Sequence, residues 1–353
     1  MTLYDRVAGL PLTISGSDRT SRCREMAGEA TRVTSTFVLL GEDEFGAGED
    51  VTHEPVDHEA LPEPLTFDFA GEYTFDEFSQ SLKAVDLFPT KPPEYEISRT
   101  YRRWAVESAA LDLALKQNDT TLASRFGRER APVRFVASPP VPDGDPTRVG
   151  EILAVNPACE FALQPTDAWT ADTFATLAET DAVRVLDLND QPEGVDDGRA
   201  PDFALYHRVF ETFPDGVVAD PAVSDDVRDL LATNAERLSW GRSIRSVADL
   251  RDAPFEPNWC SIAPSRFGTV RSLLETIEYC EDQDINMYGD GQCELCVGRG
   301  HIQLLASLFY PDGPNDVAPR AYNKPTTKTD LRASPLEPPE DPTGAEWKHL
   351  EFE

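Results

Sequence analysis

Lysine is scarce in this sequence. Only six of its 32 basic residues are lysine, against 64 Asp and Glu in 353 residues, for a net charge of −32. The acids are spread along the chain rather than gathered in one tail. Self-repulsion on this scale is costly at low ionic strength and screened in concentrated salt. The composition therefore predicts a hydrated surface adapted to high salt, as in haloarchaea; an acidic mesophilic protein is the plainer alternative. The same field repels phosphates and anionic membranes, so no nucleic acid and no membrane is expected as a partner. Long apolar runs are also absent: none approaches the ~18 residues of a membrane span, and MTLYDRVAGL does not read as a signal peptide. Six cysteines are too few for a disulfide framework. Cys159, Cys260 and Cys280 sit in apolar runs, so reduced core thiols in a cytoplasmic protein are expected. The five histidines are scattered, and none stands with a Ser or Cys in a nucleophile arrangement. His207 in DFALYHRVF reads as a helix-face residue.

The first 130 residues have the pattern of an α+β unit. TRVTSTFVLLGEDEFGAGED alternates β-branched and apolar residues with glycines, as a strand, a turn and a second short strand would. TFDEFSQSLKAVDLF and RTYRRWAVESAALDLALKQ carry apolar residues at helical spacing, and Trp104, Ala105, Ala109, Leu111, Leu113 and Leu115 mark the second as largely buried. From residue 131 to 310 short apolar runs recur: PVRFVAS, CEFALQP, VRVLDLN, DGVVADP, RLSWG, WCSIAP and INMYGDG. Between most of them lie amphipathic stretches of helix length, such as TADTFATLAET, SDDVRDLLATNAERL and FGTVRSLLETIEYCED. Strand starts recur at roughly 20 to 30 residues, about one βα unit, and such a series favours a barrel over an open sheet. Residues 311–353, rich in Pro, Asp and Thr, read as a tail that packs on the N-terminal unit or stays partly loose.

Two short motifs are better explained structurally. Cys293 and Cys296 form one CxxC, whereas a structural zinc site needs four ligands, so two small residues at a loop-to-helix junction are the simpler reading. GDGQCELCVGRG is glycine-rich but lacks both nucleotide-binding spacings.

The order of segments resembles the enolase superfamily, in its mandelate racemase and muconate lactonizing enzyme branch. The likeness covers most of residues 30 to 323 and rests on WAVESAALDLALKQNDTTLASRFG, DLND, VADP, SIRSVADL, APSRFG and GQCELCVGRGHIQLLASL, in the family's order and spacing. The resemblance implies an α/β fold: an N-terminal α+β capping domain over a modified TIM barrel, (β/α)7β, with a pocket at the carboxyl ends of the strands. It also implies proton abstraction next to a carboxylate, with Mg²⁺ held by carboxylates from three adjacent strands and a Lys or His as base.

Those positions are mostly blank here. The places of the two second-strand lysines hold Ala162 and Gln164. Asp187 matches the first metal ligand, but the second and third fall on Ala219 and Gly241, and the sixth-strand lysine on Ala263. No His stands in MYGDGQCE, and His301 lies well along the next helix. Asp220, one place from Ala219, should point outside the barrel, since neighbours on a strand face opposite sides. A lone Asp187 does not compete with water for Mg²⁺, so no metal and no cofactor is expected. Arg19, Arg22, Arg24 and Arg32 lie where the family has a mobile lid; they read either as a lid that recruits a carboxylate or phosphate, or as arginines paired with surface acids.

Two functions are compatible with this pattern. One is a pseudoenzyme that binds a small carboxylate or acts by assembly, as a homo-oligomer. The other is an enzyme with metal-independent chemistry using Gln164, Asp187, Asn189, Arg242, Ser261 and Glu294, with Asp187 as base and Arg242 holding a substrate carboxylate. An ordinary Mg²⁺-dependent family member would require a different strand register at several places.

Overall fold

The computed structural model describes residues 1–26, 31–188, 201–340, 342–345 and 347. The chain opens with α1 (Asp5–Ala8), β1 (Pro11–Ile14), β2 (Gly16–Glu25), β3 (Thr31–Leu40) and β4 (Phe45–Asp50). Then come α2 (Pro55–Glu59), β5 (Gly71–Thr74), α3 (Phe75–Ser81), α4 (Ile97–Gln117) and α5 (Leu122–Phe126). β2, β3 and β4 form an antiparallel sheet, while β1 pairs with β5. Thr74 and Glu77 close a capping box that starts α3.

The glycines of FGAGED have a steric cause. A Cβ at Gly46 would run into the carbonyl oxygen of Ala109, and one at Gly48 into that of Ala105. The backbone of β4 therefore lies directly on α4, at an approach only glycine permits. Buried charge fixes the same joint: Arg102 on α4 donates from Nε to Asp50 Oδ2 at 2.8 Å, and from Nη1 and Nη2 to the carbonyls of Leu87 and Asp57.

The second unit is a run of parallel strands and helices. It comprises β6 (Val136–Ala137), α6 (Thr147–Val155), β7 (Glu160–Leu163), α7 (Ala171–Glu179) and β8 (Val183–Asp187). After these come α8 (Phe203–Thr212), β9 (Val217–Ala219), α9 (Asp225–Thr233), β10 (Leu238–Trp240) and α10 (Val247–Arg251). The series ends with β11 (Trp259–Ile262), α11 (Pro264–Phe267), α12 (Val270–Asp282), β12 (Asn286–Gly289) and α13 (Val297–Phe309). Every strand falls in an apolar run marked from the sequence, and they pair in chain order from β6 to β12.

The sheet is closed by a segment placed outside it on sequence grounds. Asp316 N donates to the carbonyl of Gly289 on β12, and Val136 N on β6 donates to the carbonyl of Asn315, both at 2.8 Å. The Asn315 side chain locks the closure: its Oδ1 accepts from Gly289 N at 2.6 Å, and its Nδ2 donates to the carbonyl of Arg134 at 2.9 Å. The barrel thus runs past Tyr310, the boundary suggested by composition. GPNDV gave no strand signal because it pairs through single bridges and an Asn side chain rather than an apolar ladder. Beyond it the tail touches both units. Leu336 pairs with Val133 at the entry to β6, and Ala345 N donates to Asp112 Oδ1 on α4 at 2.9 Å.

Candidate functional site

Alternation along the barrel strands separates two packed sets of side chains. Val185, Val217, Ala219 and Tyr288 cluster inside, with Ala162 and Trp259 against them. Their neighbours Phe161, Leu163, Leu186, Val218, Leu238, Trp240, Cys260 and Ile262 belong to the layer under the helices. The period of two then sets Ala162, Asp187, Ala219, Gly241, Ser261 and Ala263 on the inner face at or near the carboxyl ends. Gly241 and Ser261 face the same space, because a Cβ on Gly241 would run into Ser261 Oγ. Gln164 is exposed at the end of β7. Asn189 lies outside the described residues.

Two ion pairs dominate this mouth. Arg242 Nη2 donates to Asp187 Oδ2 at 2.8 Å, both side chains half-buried. Arg266, buried on α11, donates from Nη1 to Asp290 Oδ2 at 2.6 Å. Between them stands Asp220, which the alternation rule had sent outside the barrel. Its φ of 45° breaks the strand there, and the carboxylate turns over the end of β10. It accepts from Gly241 N at 2.9 Å and Arg242 N at 3.1 Å. Burial, and then the neighbouring Asp187, push its carboxyl up to about 6, against the pull of Arg266. Ser261 is buried, and its Oγ has no hydrogen-bond partner among the described residues.

Each of the three carboxylates here already has a donor: Asp187 and Asp290 a guanidinium, Asp220 two backbone N–H groups. Magnesium requires hard oxygens in near-octahedral array. The three adjacent strand ends that would supply them present Asp187, Ala219 and Gly241. Among the described residues no group of three or more His, Cys, Asp or Glu is placed to hold a metal ion. Among the described residues these side chains do not make up the three-strand carboxylate set that the resemblance implies.

Glu294, grouped with the mouth on sequence grounds, stands on the loop between β12 and α13 and is buried. It accepts from Gln292 N at 2.9 Å and pairs with Arg299 Nη2 at 3.2 Å. It lines a cavity of about 210 Å³ with residues of the β2 end of the cap sheet, α13 and the tail. Arg24 lines the same cavity, with Arg320, Lys324, Lys328 and Arg332 from the tail. The tail cations were missed because only the fold brings them together, although two of six lysines within five residues was a signal.

The presumed lid is a hairpin: β2 and β3 pair from Gly16–Leu40 to Glu25–Thr31. Arg19 on β2 donates to Ser21 Oγ at 2.7 Å, and Arg22 stands half-buried on the same strand. Arg32 is no lid residue. It is buried and donates to the carbonyls of Thr52, Val51 and Gln292, tying cap to barrel. Glu49 does the same from β4, accepting from the backbone N–H groups of Leu295, Cys296 and Gly298 at the start of α13. Cys296 thus serves that junction through its backbone, and all six cysteines are free thiols. His207 pairs with Glu211 on the exposed face of α8 at 3.2 Å.

No curated protein matches the sequence. Solved structures share the fold. Muconate lactonizing enzyme from Pseudomonas putida is 16% identical with a TM-score of 0.65, over 94% of this chain and 96% of that one. An enolase-superfamily member from Enterococcus faecalis V583 is 18% identical with a TM-score of 0.60, over 87% and 86%. A member from Agrobacterium tumefaciens with homology to dipeptide epimerases is 15% identical, with a TM-score of 0.57 over 84% and 91%. No helix among the described residues is long and apolar enough to cross a membrane. With models of the domain of unknown function DUF8230 matching residues 5–125 (N-terminal domain) and 129–324 (C-terminal domain), this chain belongs to that family and carries the enolase-superfamily fold.

Proposed function

We propose that this protein is an enolase-superfamily barrel without the magnesium-assisted reaction, which binds a small carboxylic acid at its mouth. The Asp187–Arg242 pair carries the reading. It sets a guanidinium on Asp187, the one of the three carried-over ligand positions that holds a carboxylate, while the neighbouring Asp220 is held by the N–H groups of Gly241 and Arg242. A guanidinium offers a planar, bidentate fit to a carboxylate but no Lewis acidity. Arg242 and Arg266 together supply two such groups, with Ser261 as a further donor beside Gly241. The positions of the family's catalytic lysines hold Ala162, Gln164 and Ala263, none of which takes a proton. The names of the similar structures, muconate lactonizing enzyme and a mandelate racemase/muconate lactonizing protein, support a carboxylate as the ligand class. The same reading takes the protein as a cytoplasmic homo-oligomer with neither nucleic acid nor membrane as a partner. Its test is turnover by purified protein in molar salt with magnesium and a panel of 2-hydroxy acids, dipeptides and unsaturated diacids. No turnover is expected; magnesium-dependent racemisation, dehydration or lactonisation overturns it.

A second reading has one observation in its favour. Asp220, with its carboxyl pushed up to about 6, suits a general base working near neutrality. In that reading Asp220, and not the Arg242-bound Asp187, takes a proton from a carboxylate substrate without a metal. Metal-independent turnover rising through pH 6 and abolished by Asp220→Asn is its signature, and a silent panel removes it.

A further inference from the structure

The sequence shows no histidine beside a candidate serine nucleophile, yet the cap sheet brings one to the end of a row of hydroxyls. His58 on α2 is 1% exposed, and Ser35 on β3 is fully buried. Ser35 Oγ lies 2.9 Å from His58 Nδ1, and His58 Nε2 lies 2.9 Å from the carbonyl of Thr52. β2 and β3 pair Ser21 opposite Ser35, with their Oγ atoms 2.8 Å apart. Ser21 is exposed, and Arg19 Nη1 donates to its Oγ at 2.7 Å.

These contacts set the direction of each hydrogen in the row. A carbonyl oxygen only accepts, so the Thr52 contact puts a hydrogen on His58 Nε2. In the neutral imidazole Nδ1 is then the acceptor, and the Ser35 hydroxyl donates to it. With that hydrogen spent, Ser35 Oγ accepts from Ser21, whose own oxygen accepts from Arg19. Burial first favours the neutral imidazole; the charges of Arg32 and Arg102 act with it and that of Asp50 against it. Asp50 Oδ2 stands 3.9 Å from Nδ1 and accepts from Arg102 Nε at 2.8 Å. Asp57, beside His58 on α2, pairs with Lys91 at 2.6 Å, and Arg19 Nη1 reaches the His58 carbonyl at 3.4 Å. Satisfying the buried ring needs only Ser35 and Thr52. It does not need the row to continue to an exposed hydroxyl that carries a guanidinium on its oxygen.

We propose that Ser21 is a nucleophile that takes the acyl group of an ester, with Ser35 and His58 as its proton relay. The Ser21 proton passes to Ser35 Oγ as the Ser35 proton passes to His58 Nδ1. Ser21 Oγ bonds to the acyl carbon, and the bond from that carbon to the leaving oxygen breaks. The proton returns from His58 through Ser35 to the leaving alkoxide. Asp50 and the Thr52 carbonyl stabilise the transient imidazolium, and Arg19 favours the Ser21 alkoxide. Ser21 alone touches the substrate, and Ser35 and His58 act through it. The row shares no residue with the barrel mouth.

The full chain, in potassium chloride at a concentration that keeps it folded, is treated with a fluorophosphonate, a probe of activated serine hydroxyls. Peptide mass spectrometry then locates the adduct. Ser21 should carry it, at a rate that rises with pH as His58 loses its proton, with a midpoint below the ~6.5 of an ordinary histidine. Labelling should slow at least tenfold in Ser35→Ala and in His58→Gln, and recover in Ser35→Thr, which restores the hydroxyl. A merely structural row would leave both the rate and its pH profile unmoved. Should His58→Gln fail to fold, the two Ser35 variants decide. No adduct at Ser21, a rate indifferent to Ser35→Ala, or a profile without the histidine step each overturns the proposal.

Discussion

Asp220 shows how one backbone angle reassigns a side chain. In a regular strand it would share the helix-facing side with Val218, but its φ of 45° carries the carboxylate over the end of β10. There, burial and Asp187 hold its folded pKa near 6, above the ~3.9 of an unfolded aspartate. The folded state therefore binds more protons between those two values, and stability falls as pH rises through that window. Asp220→Asn retains an acceptor for Gly241 N and removes the repulsion from Asp187. The variant should match the wild type near pH 4 and exceed it by on the order of 1–2 kcal/mol above pH 6, a discounted figure because the residue is partly exposed. Chemical denaturation at the two pH values measures the difference. Equal stabilities throughout would place the carboxylate elsewhere.

At the scale of elements, what could be read from the sequence follows from how each element buries its surface. The seven barrel strands were legible because each is a short apolar run with a helix-facing side against the main core. The long helix α4 was legible from its buried Ala and Leu face. β2 was not: both its faces are only half-buried or exposed, so GSDRTSRCRE has no apolar alternation to read. The closing segment at Asn315 was hidden for a related reason, since an amide side chain does part of a ladder's work there. The inner-face places of Ala219, Gly241 and Ala263 were legible because strand alternation alone assigns them. The cationic cavity was not, because Arg24, Arg299 and residues 320–332 meet only in the fold. The β4–α4 joint yields a sharp expectation. Gly48→Ala forces a methyl against the backbone of α4 and should cost about 3 kcal/mol, at the upper end for overpacking. Gly9→Ala, where the added carbon meets nothing within 4 Å, is its control. Thermal denaturation of the pair measures the contrast.

On the scale of the whole molecule, a net charge of −32 surrounds a closed barrel capped by an α+β unit. The two are held together by buried polar joints: Arg32 to Gln292, Glu49 to the start of α13, and Glu107 Oε2 accepting from Val270 N at 3.0 Å. Surface repulsion acts against this assembly when the Debye length is ~10 Å, at ~0.1 M salt, and much less at ~3 Å, near 1 M. The melting temperature should accordingly rise steeply with potassium chloride over that range; a flat profile would contradict a salt-adapted surface. Within this frame the fold keeps the superfamily's architecture while the mouth carries two ion pairs, and the proposed reading is that it holds no metal. Magnesium titration calorimetry on the wild type and on Asp187→Asn addresses that claim most directly. Two identical traces, with only the weak diffuse heat of an acidic surface, are the expected result. A stoichiometric magnesium site in the wild type that disappears in Asp187→Asn would contradict it.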